Sequence, residues 1–272
     1  MRIDLSEATF IIPIRIESTD RLCNVITTTA FLLEHFDTNI IIKEVDSESI
    51  FQKDALPILK DILDVDVNIT HIFEQSNNSS FHRQKVLNEM IDKSSTKIVV
   101  NYDCDAILPL ESYEIAYDLI LKEECDVVYP YGQGMYQKQV LATDEIVSTF
   151  LETGDYSHLD NHSRPYTSDF GWAQFFNRQV YIDGGMENEN FIAYAPEDKE
   201  RFYRFTTLGY NVERIDNFVY HLEHSRGHNS WVNNPHMNNN NNLWDQIQNM
   251  NKDQLKEYYS NQDYLQKYNG QK

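Results

Sequence analysis

The sequence lacks the features that mark several common classes of protein. It has three cysteines, Cys23, Cys104 and Cys125, and no CxxC pair, so neither a disulfide framework nor a zinc ribbon is expected. No run of about 18 apolar residues occurs, and the first residues lack the charged-then-apolar order of a signal peptide. We therefore expect a cytoplasmic protein without a transmembrane segment, and leave open a peripheral association with a membrane through partners.

Basic residues are also scarce. Lys plus Arg number 23 against 43 Asp plus Glu, which gives a formal net charge of -20. This charge argues against a broad surface for nucleic acid or anionic lipid. An anionic ligand such as a diphosphate would need a local cation, which a bound metal ion could supply. Hydrophobic residues make up 41% of the 272 residues, so the chain can bury a full core.

Short apolar runs alternate with amphipathic stretches through the first half of the chain. Strands are predicted at 9–14, 39–45, 67–73, 97–102 and 126–131, and helices at 22–35, 80–93 and 110–122. This alternation predicts an α/β fold with a mainly parallel central sheet flanked by helices.

The second half is less regular. The pattern weakens over 132–169, which we interpret as an excursion from the sheet rather than a linker. The run 233–242 is rich in Asn and predicts a mobile polar loop. Residues 243–268 favour a helical tail, whose second part Asn251 or Asp253 could cap.

Three clusters carry chemistry. Asp103 and Asp105 follow the strand predicted at 97–102, at the edge of the sheet where ligands bind, and their carboxylates suit Mg²⁺ or Mn²⁺. A solvated turn is the alternative. His221 and His224 are three residues apart, a spacing at which both rings could face the same way on a helical turn and bind a metal; a polar surface turn is again the alternative.

The third cluster combines glycines with paired acids. Gly184 and Gly185 allow close backbone approach to a ligand, and Glu197 and Asp198 begin a helical run where a carboxylate could act as a general base. A turn with helix-capping acids would explain the same residues. Asp46, at the end of the second strand, suits either a ligand contact or a plain surface position.

In this order, the clusters make the chain resemble GT-A glycosyltransferases, and in particular the β-1,4-galactosyltransferase and chondroitin-polymerase-like group of families 2 and 7. Pro13 and Arg15 are similar to the group's opening Pro-x-Arg, which contacts the nucleotide. Residues 81–88 (FHRQKVLN) resemble its Phe-x-Arg-x-Lys-x-x-Asn helix. The resemblance implies that Phe81, Arg83 and Lys85 meet the donor. Asp46 would then suit a uracil or ribose contact, with a plain surface position as the alternative.

The metal site is also implied by this resemblance. Residues 103–109 (DCDAILP) are similar to the group's Asp-Val-Asp-Leu-x-Pro, so Asp105 would bind the metal and Asp103 the donor sugar or ribose. Residues 221–226 (HLEHSR) resemble Met-x-x-His-Ser-Arg, so His221 and His224 would complete the ligand set. Because imidazole replaces thioether at His221, Mg²⁺ should be more usable beside Mn²⁺.

Two further stretches match. Residues 170–172 (FGW) are similar to Phe-Gly-Gly, with Trp172 in place of a glycine, and 185–198 to the Asn-Gly-Phe…Gly-Gly-Glu-Asp stretch. Trp172 and Gly185 would then lie on the donor side. Asp198 would be the catalytic base, Glu197 a sugar contact and Tyr194 an aromatic platform. The sequence also departs from the pattern at Asp169, which replaces a donor-selecting Tyr, and at 195–196 (AP), which replace Gly-Gly.

The resemblance implies a metal-dependent, inverting transfer of a hexose from a UDP-sugar to a hydroxyl of a glycan or glycolipid, in bacterial surface polysaccharide assembly. Residues 1–232 would form the catalytic domain, with a nucleotide-binding half at 1–131 and an acceptor and metal half at 132–232; 233–272 would be the polar loop and helical tail. A sugar nucleotidyltransferase is an alternative, although 15–19 (RIEST) has no glycine for a phosphate loop. A carbohydrate-binding protein that kept the fold without turnover is another.

Overall fold

Strands and helices alternate along most of the chain. The computed structural model describes residues 2–168, 170–194, 196–230 and 233–269. Its strands are β1 (Ile3–Ile14), β2 (Phe36–Asp46), β3 (Thr70–Gln75), β4 (Ile98–Tyr102), β5 (Ala106–Ile107), β6 (Val127–Tyr129), β7 (Gln137–Val140), β8 (Ser163–Pro165), β9 (Ala173–Asn177), β10 (Val212–Arg214) and β11 (Val219–Leu222). Its helices are α1 (Thr19–His35), α2 (Leu56–Ile62), α3 (Arg83–Lys93), α4 (Leu110–Leu121), α5 (Asp144–Thr153), α6 (Tyr156–Asn161), α7 (Arg178–Asp183), α8 (Glu197–Leu208), α9 (Met237–Ile247), α10 (Lys252–Ser260) and α11 (Asp263–Asn269).

The larger sheet runs in the order β10-β6-β9-β4-β1-β2-β3. Its neighbours pair in parallel except β9, which is antiparallel to both β4 and β6. Phe10, Ile11 and Ile12 of β1 are all buried, as expected for a central strand covered on both faces. The predicted α/β fold with a mainly parallel sheet is confirmed.

The helices pack their apolar faces on this sheet. In α3, Val86, Leu87, Met90 and Ile91 are buried, at the helical spacing that the sequence shows. Within the described residues, no helix has the length and apolar character needed to cross a membrane.

A second, four-stranded sheet has the order β5-β11-β7-β8. It is built largely from the stretch where the sequence pattern is weakest, with α5 and α6 between β7 and β8. Antiparallel pairing of β5 with β11 sets Ala106 opposite His221, and the backbone N–H of Leu222 donates to the carbonyl of Asp105 at 2.8 Å. The ladder therefore brings the Asp-Cys-Asp turn beside the histidines.

The prediction of a mobile loop at 233–242 is wrong for residues 237–242, which belong to α9. The side chain of Asn240 is buried, and its Nδ2 donates to the carbonyl of Ile192 at 2.9 Å while its Oδ1 accepts from the backbone N–H of Ile192 at 3.3 Å. An amide can satisfy a neighbouring backbone in this way, so an Asn-rich run is compatible with a packed helix. The helical tail is confirmed, and Asn251 rather than Asp253 caps α10, in a capping box with Gln254.

Candidate active site and metal centre

A cavity of about 570 Å³ lies beyond the carboxyl ends of β1 and β4. It collects most of the residues singled out in the sequence: Pro13, Arg15, Phe81, Arg83, Asp103, Asp105, Trp172, Tyr194, Glu197, Asp198, His221 and His224. This position matches the rule that ligands of open α/β sheets bind outside the carboxyl ends of the strands. The three clusters of chemical residues thus share one space.

Asp105, His221 and His224 form a compact group on one side of the cavity. Oδ2 of Asp105 lies 3.2 Å from Nε2 of His224 and 3.7 Å from Nε2 of His221. One ligand atom from each residue falls within 4.8 Å of the others, and all three side chains are largely buried. In the described part of the chain, no other such group of His, Cys and acidic residues occurs.

The two histidines do not share a helical turn, contrary to the expectation from their spacing. His221 lies in β11, and His224 lies just beyond that strand's end. The ladder with β5 holds His221 in register with the Asp-Cys-Asp turn, and the chain then bends to bring His224 back. His221 and His224 therefore converge without a helix, because the chain leaves the strand after Leu222 and before His224.

The donor set fits a divalent cation. Nδ1 of His224 lies 2.8 Å from the carbonyl of Ser225; donation there leaves the Nε2 lone pair facing Asp105. Burial alone would raise the pKa of Asp105, but its contacts with His221 and His224 outweigh burial and hold that pKa well below its ordinary value. A carboxylate with two imidazole nitrogens suits Mn²⁺, and its oxygen suits Mg²⁺ as well.

Asp103 has different partners from those of Asp105. Its Oδ1 accepts from Nη2 of Arg83 at 2.6 Å, and its Oδ2 accepts from the backbone N–H of Trp172 at 3.1 Å. In return, the backbone N–H of Asp103 donates to the carbonyl of Trp172 at 2.7 Å. The two carboxylates of the turn therefore have different partners, one cationic and one imidazole.

Trp172 adopts a positive φ of 68°. An L-residue pays about 1–2 kcal/mol for this left-handed conformation, which glycine adopts freely. The indole is buried, with its ring 6.0 Å from that of His221 and 5.2 Å from that of Tyr131. The backbone at 172 thus has a conformation that glycine favours. This chain instead has Trp172 there, and its indole packs against His221 of the candidate metal site.

Asp198 lies in the first turn of α8. Its Oδ1 accepts from Nη1 of Arg201 at 2.8 Å. Burial raises the pKa of Asp198 and Asp103 adds to the rise, while Arg201 and Arg83 oppose it. Burial and then the charge of Asp198 also raise the pKa of Glu197 well above its usual range. Glu197 is buried and the side chain of Asp198 is partly exposed to the cavity. Adjacent acids with raised pKa values are characteristic of sites that transfer protons.

Arg15 organises the end of β1. Its Nε donates to the carbonyl of Val45 at 2.8 Å, and its Nη1 donates to the carbonyls of Asn78 and Ser79 at 2.9 and 3.1 Å. Its guanidinium lies 5.4 Å from the ring centre of Phe81. Arg15 and Phe81 thus form one wall of the cavity.

Tyr194 projects into the cavity and is 50% exposed. Its carbonyl accepts from Nδ2 of the buried Asn234 at 2.5 Å and of Asn240 at 3.4 Å, and its N–H donates to the carbonyl of Asn229 at 3.1 Å. An exposed ring on a fixed backbone is suited to stacking on a sugar face.

Three of the predicted residues lie outside the cavity lining. Lys85 pairs with Glu89 at 3.7 Å, and Asp46 accepts from the backbone N–H of Ser47 at 2.7 Å. Gly185 has a φ of 95°, and a Cβ there would lie 2.5 Å from the ring of Tyr259, so its absence permits close packing. Asp169 and Ala195 lie outside the described residues.

The cavity also has lining residues that sequence reasoning did not assign: Glu17, Arg21, Tyr166, Lys199, Arg226 and Asn229 are among them. Arg226 belongs to the quoted HLEHSR motif, so its presence could have been anticipated. Asn229 is placed by tertiary contacts, since its Oδ1 accepts from the backbone N–H of Phe81 at 2.7 Å and its Nδ2 donates to Glu17 at 3.2 Å. No local pattern marks such a residue.

Comparison with solved structures identifies the class of fold. The chain is similar to the mannosyltransferase PcManGT from Pyrobaculum calidifontis, solved in complex with GDP-Man and Mn²⁺, with a TM-score of 0.54 and 13% sequence identity. The match covers 95% of this chain and 69% of that one. The fold is therefore a glycosyltransferase fold, and within it the predicted GT-A architecture is confirmed. No family model and no curated protein matches the sequence.

Proposed function

We propose that the protein is a metal-dependent, inverting glycosyltransferase that moves a hexose from a UDP-sugar to a hydroxyl of a glycan or glycolipid. The observation that carries this proposal is one cavity shared by a buried Asp-His-His group and the carboxylate of Asp198, whose side chain is 29% exposed. The structural neighbour was solved with a nucleotide-sugar and Mn²⁺, which supports a donor and a metal of these classes. UDP and hexose rest on the resemblance of the sequence motifs.

Asp105, His221 and His224 would hold the metal. Mn²⁺ or Mg²⁺ bound there would offset the negative charge that develops on the leaving diphosphate. The protein's part is to present one carboxylate oxygen and two ring nitrogens in a largely buried group. Arg21, which also lines the cavity, adds a positive charge in a chain of strongly negative net charge.

Asp198 would act as the base. The acceptor oxygen forms a bond to the anomeric carbon as the bond from that carbon to the diphosphate oxygen breaks, and the hydroxyl proton passes to Asp198. This exchange balances, since the nucleoside diphosphate leaves with the electron pair of the broken bond. The raised pKa of Asp198, caused first by burial, makes its carboxylate a stronger base than an exposed aspartate.

The donor would lie along the wall formed by Arg15, Phe81, Arg83 and Asp103. Arg83 holds Asp103 at 2.6 Å, so the carboxylate is fixed for a ribose or sugar hydroxyl. The exposed ring of Tyr194 would stack on a sugar on the side of Glu197 and Asp198. Asp46 and Lys85 would support the donor only from outside the cavity lining, and Gly185 through packing.

The test is transfer by purified protein. A panel of UDP-sugars and GDP-mannose with Mn²⁺ and candidate glycan acceptors should give release of nucleoside diphosphate with at least one UDP-sugar. Asp198→Asn should retain binding of that donor by calorimetry and lose transfer by about a hundredfold or more. Asp61→Asn, at an exposed position of α2 outside the cavity lining, is the matched control and should stay near wild type.

Other outcomes would redirect the proposal. Transfer by Asp198→Asn at a near wild-type rate would remove Asp198 as the base. Binding of sugar nucleotide without release of diphosphate would support the carbohydrate-binding alternative. Pyrophosphate formation from a nucleoside triphosphate and a sugar phosphate would identify a nucleotidyltransferase.

A further inference from the structure

Arg201 is a buried cation beside the proposed base. Its side chain is 1% exposed, yet it lies one turn after Asp198 on α8 and contacts that carboxylate, which lines the cavity. Nε and Nη2 donate to the two oxygens of Glu187 at 2.6 and 2.8 Å, and Nη1 donates to Asp198 at 2.8 Å and to Gln174 at 3.3 Å. Each of the three guanidinium nitrogens is therefore engaged.

The guanidinium is held from three elements. Glu187, which is 1% exposed, also accepts from the hydroxyl of Tyr181 on α7, and its backbone N–H donates to Oδ1 of Asn88 on α3 at 2.8 Å. Gln174 lies on β9, in the middle of the large sheet. A planar guanidinium fixed by a bidentate carboxylate has little freedom to turn, so the direction of Nη1 is set before any substrate binds.

This arrangement separates the two oxygens of Asp198. Oδ1 is engaged by Arg201, whereas Oδ2 lies beside Gly171, where a Cβ would be only 3.3 Å away. A side chain at 171 would crowd Oδ2. The structure thus leaves one oxygen of the carboxylate for a ligand in the cavity and fixes the other.

We propose that Arg201 is a positioning residue for the transfer reaction: anchored by Glu187, it holds Oδ1 of Asp198 so that Oδ2 receives the proton of the acceptor hydroxyl. The inference rests on the proposed function, in which Asp198 is the base. It adds a role for a buried ion pair that does not itself line the cavity.

Several charged or titratable groups face Asp198. They are Arg201 and Glu197 on α8, Arg83 on α3, Asp103 after β4, Tyr129 and Tyr131 on β6 and just after it, and Tyr194 before α8. Arg201 is the foremost of the cations that stabilise the carboxylate form. Withdrawing its guanidinium therefore favours the protonated form and moves the acid limb of the pH–rate profile to higher pH.

The experiment compares Arg201→Lys with Arg204→Lys. Arg204 is an equally buried arginine on the same helix, bonded to Glu200 and to the carbonyls of Gly184 and Met186, so the same substitution disturbs packing without touching Asp198. Arg201→Lys should lower kcat by about tenfold or more with donor KM near wild type, and should move the acid limb to higher pH. Arg204→Lys should leave that limb in place.

An unmoved acid limb in Arg201→Lys would overturn the inference, as would an equal effect from Arg204→Lys. If Arg201→Lys does not fold, Glu187→Gln keeps the shape of the anchor and weakens its hold on Arg201, so kcat should fall while donor KM stays near wild type. An unchanged kcat would again count against Arg201. The proposed function fails separately, through Asp198→Asn that still transfers sugar. Loss of transfer in Asp198→Asn with no shift in Arg201→Lys would leave Asp198 as base and remove the role of Arg201.

Discussion

Asp20 accepts a hydrogen bond of 2.5 Å at Oδ2 from the backbone N–H of Ser225, the residue after His224. Its Oδ1 accepts from the hydroxyl of Ser225 at 3.2 Å and from the hydroxyl of Ser18. The start of α1 is therefore tied to the loop that carries a candidate metal ligand. The strength of these hydrogen bonds should depend on the negative charge of the Asp20 carboxylate.

The pKa of Asp20 falls from its ordinary 3.8 to about 2, because hydrogen bonds from Ser18 and Ser225 outweigh the effect of burial, which alone would raise it. A carboxyl whose folded pKa is lowered stabilises the fold above its unfolded pKa, and this contribution disappears as pH falls through about 2. In Asp20→Asn, stability should be lower at pH 7 and should change less between pH values of about 4 and 2. Urea unfolding at several pH values measures this, with Asp46→Asn as the control; parallel curves for wild type and Asp20→Asn would contradict it.

His221→Met tests the ligand set. A thioether is a soft ligand that Mg²⁺ does not take, whereas imidazole serves Mg²⁺ and Mn²⁺ better, so the ratio of Mg²⁺-supported to Mn²⁺-supported transfer should fall. Initial rates with each metal give the ratio. His71→Met is the control, since His71 lies on β3 and its Nε2 is 3.2 Å from Glu44. An unchanged ratio in His221→Met would mean that His221 does not bind the metal.

Much of the fold was predictable from the sequence because its central strands, such as β1 and β4, are buried on both faces. Runs such as residues 98–102 are entirely apolar or buried, and Val86, Leu87, Met90 and Ile91 of α3 keep helical spacing. The position of Asp103 and Asp105 followed from the same logic, since the turn directly ends β4. Motif order then supplied His221 and His224, although the expected helical turn was wrong.

What could not be predicted depends on contacts between distant segments. The four-stranded sheet uses strands of two to four residues, too short for any alternating pattern to stand out. In the sequence, Arg201 and Arg204 have the charged neighbours typical of an exposed helix. Both side chains are nevertheless buried and form ion pairs with Glu187 and Glu200. Asn240 lies in a run whose composition favours a loop, and its place in α9 is supported by backbone groups of a different segment.

Asn240→Ala should be destabilising for that reason. It removes the partner of the N–H and carbonyl of Ile192, and unsatisfied backbone groups cost about 1–3 kcal/mol in the free energy of unfolding. Because the same amide reaches the carbonyl of Tyr194, acceptor KM should also rise while donor KM stays near wild type. Asn239→Ala, at an exposed position of α9, is the control. Equal unfolding free energies for the two variants would show that the contacts of Asn240 contribute nothing.

The left-handed backbone at Trp172 has a consequence for how this site could change during evolution. Glycine would relieve the strain of about 1–2 kcal/mol but would remove a buried indole, whose loss costs roughly 3–5 kcal/mol. Replacement by other bulky residues would keep the strain and lose the packing against His221 and Tyr131. Single substitutions at 172 are therefore expected to lower stability, so a change in this wall of the cavity would have to begin at other residues.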